Sequence, residues 1–454
     1  MDYKTILEQQ RKFFESNKTK DLHFRINILK NLKTVLKNNE NLLYEAIYAD
    51  FKKSDFETYA TEIGILYNDI NLAIRKIRSW SRSKRVSTNL INLPSKSFIK
   101  PEPYGVCLII GAWNYPYQLS FAPAIAAIAA GNTVILKPSE LSSNTSALMS
   151  KLINNNFSPE IFHVIEGGVN ETTELLKEKF DKIFFTGSVS VGKIVYQAAA
   201  KNLTPITLEL GGKSPAFVFT DTNLNVTAKR LVWGKFLNAG QTCIAPDYVL
   251  VENKIKDAFL QAIKKQIDDF KYSITNKNHV QIINSKNFER LVNLIDKSKL
   301  FCGGEYNESE RYISPTVLHD IDFSHPIMND EVFGPILPVI AFDNITDTLQ
   351  KIKSLPKPLA CYIFTKNKKT KKNILNNISF GGGAINDTIM HISNPNLPFG
   401  GVGNSGIGNY HGEAGFRAFS HYKSILAKPF GFEPKLKYPP YTKSKMKWMK
   451  RLLR

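Results

Sequence analysis

The stretch DKIFFTGSVSVGKIVYQAAAKNLTPITLELGG, residues 181–212, decides the fold. It opens with a short apolar run, turns at Thr186-Gly187-Ser188, continues with helical character, and closes in a second apolar run, ITLEL. Runs that are apolar throughout, not alternating, belong to strands buried on both faces, and a helix between two of them predicts parallel pairing. Upstream, YGVCLIIGAW, NTVILKPSE and IFHVIEGG repeat the pattern, with PAIAAIAA helical between the first two. Ligands bind such sheets beyond the carboxyl ends of the strands. Gly111-Ala112-Trp113-Asn114, Lys137-Pro138-Ser139-Glu140 and Thr186-Gly187-Ser188 all fall there, so one crevice should face all three.

After about residue 210 a second alternation begins. DYVLVEN, RYISPTVL, PILPVIAF, LACYIFT and GGAIND read as strands, KIKDAFLQAIKKQIDDF and ITDTLQKIKSL as helices. The spacing of Leu22, Ile26, Leu29, Leu32 and Leu36 predicts helices from residue 1 to about 80. Segment 86–104 carries Pro94, Pro101 and Pro103 around short β-type pieces and reads as an extended excursion. The fold class is therefore α/β, with two parallel-sheet domains.

A chain of 454 residues is too long for one core. Its 43% hydrophobic and 22% charged residues are those of a globular protein, and no apolar run approaches the roughly 20 residues that span a bilayer. The N-terminus has no signal-peptide pattern. The four cysteines fit neither a metal spacing nor a disulfide framework, which points to a reducing, cytoplasmic setting and to no metal. The net charge of +20 favours anionic partners. Nucleic acid is not among those expected, since no nucleic-acid-binding motif is present.

One of the four cysteines, Cys243, lies in FLNAGQTCIAPDY, residues 236–248. On its own it reads either as core filler or as a nucleophile. Glu209 closes an apolar strand, where a carboxylate is costly unless paired or used. Asn114 is either a turn residue before Tyr115-Pro116 or a donor to a developing oxyanion.

With LELGGKSP, GAWNYP, LKPSE, FTGSVSVGK, NDEVFGP (329–335) and LPFGGVGNSG (397–406), the Cys243 segment makes seven motifs in order. Together they resemble the aldehyde dehydrogenase superfamily over nearly the whole chain. The short N-terminus, the CIAPDY continuation and Tyr410-His411-Gly412 look like its class 3 branch, which acts on aromatic and medium- to long-chain fatty aldehydes. Asp247 stands where many members of the superfamily have arginine, a departure that class 3 members share.

The resemblance assigns Cys243 as nucleophile, Glu209 as the base that activates water, and Asn114 as oxyanion donor. For the cofactor it implies Lys137 and Glu140 at the adenosine ribose, Thr186, Gly187 and Ser188 toward the nicotinamide, and Glu331 and Phe333 at the nicotinamide ribose and ring. Gly192 completes a G-x-x-x-x-G turn, which serves either close approach to the cofactor or helix–strand packing. Glu140 would repel a 2′-phosphate, which favours NAD, with NADP accepted. His411 reads as a funnel residue or as a surface histidine.

The implied division is N-terminal helices of the cofactor domain (1–85), the first part of a bridging arm (86–104), a dinucleotide-binding domain (105–208), a catalytic domain (209–399), a return segment with the second part of the arm (400–430), and a basic tail (431–454). In the family the arm joins a neighbouring subunit, so a homodimer is expected. The expected substrate is a hydrophobic aldehyde: fatty, isoprenoid or aromatic. Three rivals stand beside this reading: a CoA-acylating aldehyde dehydrogenase, a cysteine hydrolase without a redox step, and a catalytically silent membrane-binding protein on the same fold.

The tail ends in KSKMKWMKRLLR, residues 443–454. A helix there would align Met446, Met449 and Leu453, with Trp448 and Leu452 beside them and basic residues around. That pattern predicts either reversible binding to an anionic membrane, at the inner membrane face, or a solvated end.

Overall fold

A computed structural model describes residues 3–431 and 433–453. Two sheets dominate it. In the first, the strands Ile206–Glu209, Lys182–Thr186, Val106–Ile110, Thr133–Lys137 and Phe162–Val164 lie side by side in that order, all parallel. The pair Gly406–Ile407 adds antiparallel to Ile206–Glu209, with Gly406 opposite Glu209.

These strands form because every second residue goes to one of two cores. Val106, Leu108 and Ile110 pack on one face with Ile183, Phe185 and Leu208. Cys107 and Ile109 pack on the other with Val134, Leu136 and Phe184. The helices Pro116–Ala130 and Val189–Lys201 connect successive strands. Pro116 starts the first, where its missing N–H is not needed, and left-handed Gly131 ends it. Residues 3–80 form further helices, as the apolar spacing predicts.

The second sheet runs Leu300–Cys302, Thr316–Leu318, Ile336–Phe342, Tyr248–Glu252, Pro215–Val218, Ala360–Phe364 and Gly382–Ile385, parallel except for its first strand. One sequence expectation needs correction here. RYISPTVL is not one strand: Tyr312–Ile313 pairs in a small hairpin with Tyr306–Asn307, and Thr316–Leu318 joins the large sheet. Pro315 separates them because it has no N–H to offer a ladder.

A third sheet is antiparallel. Lys96–Pro103 sits between Lys84–Val86 and Ser420–Ala427 and pairs with the latter over eight residues, from Ser420 opposite Pro103 to Ala427 opposite Lys96. Among the described residues no strand lies beside the outer edge of Ser420–Ala427. Past it, Lys443–Leu452 forms a helix capped by the Thr442 hydroxyl, with Met446, Trp448 and Leu453 exposed. Arg454, the last residue of the basic tail, lies outside the described residues. No described helix is long and apolar enough to cross a membrane.

Candidate active site

The carboxyl ends of the first sheet and the loop before the second enclose a cavity of about 540 Å³, within the usual range for ligand sites of roughly 300–1,000 Å³. Asn114, Lys137, Glu140, Thr186, Gly187, Ser188, Glu209, Cys243, Glu331 and Phe333 all line it. Gly192 does not. It is buried against Leu210, whose Cδ2 a Cβ at this position would meet at 2.6 Å, so its evident work is helix–strand packing.

Cys243 follows a short turn, Leu237–Gly240, in which Asn238 (φ 54°), Ala239 (φ 51°) and Gly240 (φ 73°) are left-handed in succession. Such a conformation costs about 1–2 kcal/mol for a residue with a side chain, so its neighbours must hold it. Asn238 Nδ2 donates to the carbonyls of Asn114 (3.0 Å) and Gln241 (3.1 Å), and the Gln241 side-chain oxygen accepts from Ile283 N–H. Asn114 Nδ2 donates to the Gln241 carbonyl at 3.1 Å, which leaves its second amide hydrogen for a ligand.

The electrostatics follow from burial. Desolvation pushes the Cys243 thiol up to about 12, with the Glu331 and Glu209 carboxylates adding to it. Glu209 is raised well above the ordinary carboxylate range by desolvation, and neither of its oxygens has a hydrogen-bond partner. The Glu331 carboxyl is raised to about 8, by burial first and then by Asp247.

Another part of the lining is built from strand ends and one helix N-terminus. Lys137 is buried, and its ammonium donates to the Pro138 carbonyl (2.9 Å) and to Glu140 (3.1 Å). The Ser188 hydroxyl caps the helix Val189–Lys201, whose N-terminal end suits a phosphate. The Thr186 hydroxyl is buried without a partner. Lys137 and Glu140, able to hydrogen-bond ribose hydroxyls, and the orphaned Thr186 hydroxyl share one lining, a donor set that fits a dinucleotide. Among the described residues no three His, Cys, Asp or Glu side chains could together hold a metal ion.

Sequence reasoning missed part of the wall. Asn287 and Arg290, three apart on the helix Ser285–Val292, line the cavity, as do Phe399 and Tyr410. Arg290 donates to the Val332 carbonyl at 2.8 Å. The first two carried no signal beyond an ordinary amphipathic helix. His411 is not a surface residue: it is buried, stacked on Phe399 at 5.2 Å, and held down to about 4 by desolvation and by His391.

The model of the aldehyde dehydrogenase family matches residues 1–425. The chain belongs to that family. Three relatives stand near it. The 4,4'-diaponeurosporen-aldehyde dehydrogenase of Staphylococcus aureus is 46% identical over 98% of both chains. Aldehyde dehydrogenase family 3 member A2 of Pongo abelii is 44% identical over 97% of this chain and 92% of its own. The dimeric NADP-preferring aldehyde dehydrogenase of Mus musculus is 43% identical over 96% and 97%. A solved structure described as the substrate-bound state of Staphylococcus aureus AldH superposes with a TM-score of 0.97 at 44% identity, covering all of both chains. The chain is thus an oxidoreductase of the class 3-like branch that acts on aldehydes with NAD or NADP.

In this aldehyde dehydrogenase the departure at Asp247 has a visible purpose. Its carboxylate takes the Lys213 ammonium at 2.5 Å on one oxygen and the Val332 N–H at 2.8 Å on the other. Lys213 also donates to the carbonyls of Ile327 and Asp330. Together they clamp the segment that carries Glu331 and Phe333, the latter at φ 47°. Asp247→Asn should raise the cofactor KM about tenfold, which corresponds to about 1.4 kcal/mol. Steady-state kinetics with fluorescence titration of NAD checks this; unchanged cofactor affinity contradicts the clamp.

Proposed function

We propose that the chain oxidises a hydrophobic aldehyde to its carboxylic acid through a thioester on Cys243, with Glu209 as base and Asn114 as oxyanion donor. The observation that carries this is the meeting of Cys243, Asn114 and an unpartnered, buried Glu209 in one cavity. Cys243 Sγ forms a bond to the aldehyde carbon, its proton passes to the Glu209 carboxylate and from there to solvent, and the carbonyl oxygen becomes an oxyanion. The free N–H of Asn114 and the backbone N–H of Cys243 stabilise that oxygen, each such donor being worth roughly 2.7–4 kcal/mol. Glu331 and Phe333 would hold a nicotinamide at its ribose and ring, and that group would supply the hydride acceptor that turns the adduct into a thioester. Glu209 then takes a proton from water as the water oxygen attacks the thioester, the C–S bond breaks, and the acid departs.

Burial explains why a base is needed. A thiol pushed up to about 12 is protonated at neutral pH, so its proton must leave as it attacks. The name of the Staphylococcus aureus relative favours an isoprenoid aldehyde, and that of a fatty aldehyde follows from the branch. Glu140 beside Lys137 favours NAD over NADP. The open outer edge of Ser420–Ala427 suits pairing with a second copy, and one relative is named dimeric. The rival CoA-acylating reaction would need a thiol where Glu209 prepares water.

Turnover measured as NADH formation should rise from short to long aliphatic aldehydes and vanish in Cys243→Ala. No turnover in the wild type with either NAD or NADP contradicts the reading, and CoA-dependent turnover favours the rival. The pH dependence has a definite sign. The Glu209 carboxyl is raised, so its base form is gained, and deacylation accelerates, as pH climbs through that raised value. Its contribution to stability runs the other way, present in acid and lost over the same climb. Glu209→Gln should slow deacylation about 10²–10⁴-fold and flatten the pH profile.

The helix Lys443–Leu452 presents Met446, Trp448 and Leu452 outward among basic residues. We propose reversible contact with an anionic membrane surface from the cytoplasmic side, at about 1 kcal/mol per basic residue. The intact protein should sediment with phosphatidylglycerol vesicles at low salt and be released by salt; absence of binding at low salt ends that proposal.

A further inference from the structure

Behind the cavity lies an ion pair that the reaction above does not use. Lys53 Nζ and Glu62 Oε1 are 2.8 Å apart, and both side chains are wholly buried. Taking two charges out of water is costly, and the pair is worth keeping only where its hydrogen bonds do something that apolar residues could not. Here each partner reaches toward the reacting groups.

The second Glu62 oxygen accepts from the N–H groups of Tyr117 (2.8 Å) and Gln118 (3.2 Å). These are unpaired donors in the first turn of the helix Pro116–Ala130, where a carboxylate is favoured. Asn114 and Tyr115 lead into that turn. The Lys53 ammonium lies 4.1 Å from the centre of the Tyr115 ring. The Tyr115 hydroxyl in turn meets the Thr242 hydroxyl at 2.6 Å, one residue before Cys243. A second carboxylate, Glu57, accepts from Asn238 N–H at 2.9 Å, and Asn238 carries the Asn114 carbonyl.

Local backbone makes the arrangement possible. Residues 59–63 form a π turn, Tyr59–Ile63. Bonds of the i→i+5 kind bring residues five apart nearly above one another, where an α-helix would do so for residues three and four apart. Glu57 and Glu62 therefore face the same loops from one side. π turns of this kind recur at functional sites.

We propose that Lys53 and Glu62 are positioning residues for the oxyanion site. They hold the Asn114 amide in the geometry that the attack requires, Glu62 through the first turn of the helix Pro116–Ala130 and Lys53 through Tyr115, whose hydroxyl is braced on Thr242. Neither touches substrate. The proposal rests on Cys243 and Asn114 as the reacting groups.

The test compares the wild type with Glu62→Gln, which keeps a helix-capping oxygen and removes the charge, and Tyr115→Phe, which deletes only the hydroxyl that meets Thr242. For each, three quantities are read: the stopped-flow burst of NADH with decanal, the affinity for NAD, and the rate of Cys243 alkylation by iodoacetamide. Alkylation forms no oxyanion, so it reports the thiol without the Asn114 amide. The burst should slow about tenfold or more in both variants, with NAD affinity and alkylation changed less than about twofold. An unchanged burst in the folded variants overturns the proposal. So does a parallel fall in all three quantities, which a merely structural pair would give. Should Glu62→Gln not fold, Tyr115→Phe alone decides, since it leaves no charge unpaired. A wild type that forms no NADH sinks the thioester reading itself, whereas normal wild-type NADH formation with unaffected variants sinks only the positioning role.

Discussion

Confinement of a half-buried thiol and a buried carboxyl in one cavity is the constraint on which the rest depends. Cys243 and Glu209 are both desolvated, and the charge of Glu209 pushes the thiol up further. Two such groups cannot ionise together cheaply, and Glu331 adds to the charge that opposes the thiolate. Around them stand the left-handed turn before Cys243, the Asn114 amide and the orphaned Glu209 oxygens, the groups to which the proposed reaction gives roles.

Around the cavity the scaffold supplies backbone donors and paired charges. Three ammonium groups meet carboxylates: Lys137 meets Glu140, Lys213 meets Asp247, and Lys53 meets Glu62. These pairs secure respectively the strand-end loop at Lys137, the Glu331 segment and the turn after Asn114. Arg290, which donates to the Val332 carbonyl, adds a guanidinium to the cavity lining. Such a site stabilises an anion through oriented N–H groups, which cost no reorganisation when the charge appears.

Much of this was legible in the sequence, and the reason is local. Parallel strands buried on both faces announce themselves as unbroken apolar runs, so 181–212 alone indicates the sheet, and strand ends place Asn114, Lys137 and Thr186 at one edge. Contiguous motifs likewise carried Glu209, Cys243 and Glu331 into the same cavity. What escaped was non-local. Lys53 and Glu62 sit in a helical stretch that reads as ordinary surface, and only the π turn and the distant Pro116 helix give them work. Asn287 and Arg290 escaped for the same reason. His411 was ambiguous because a histidine's burial depends on what stacks over it, here Phe399. RYISPTVL divides at Pro315, which has no N–H for a ladder.

The central claim is a covalent thioester on Cys243 that Glu209 clears. The most direct measurement is intact and peptide mass spectrometry of Glu209→Gln quenched in acid after mixing with NAD and decanal. The account predicts an added decanoyl group, localised to the peptide that contains Cys243, which persists in the variant and decays quickly in the wild type. A variant that forms NADH yet carries no acyl group, or carries it on another residue, contradicts the account.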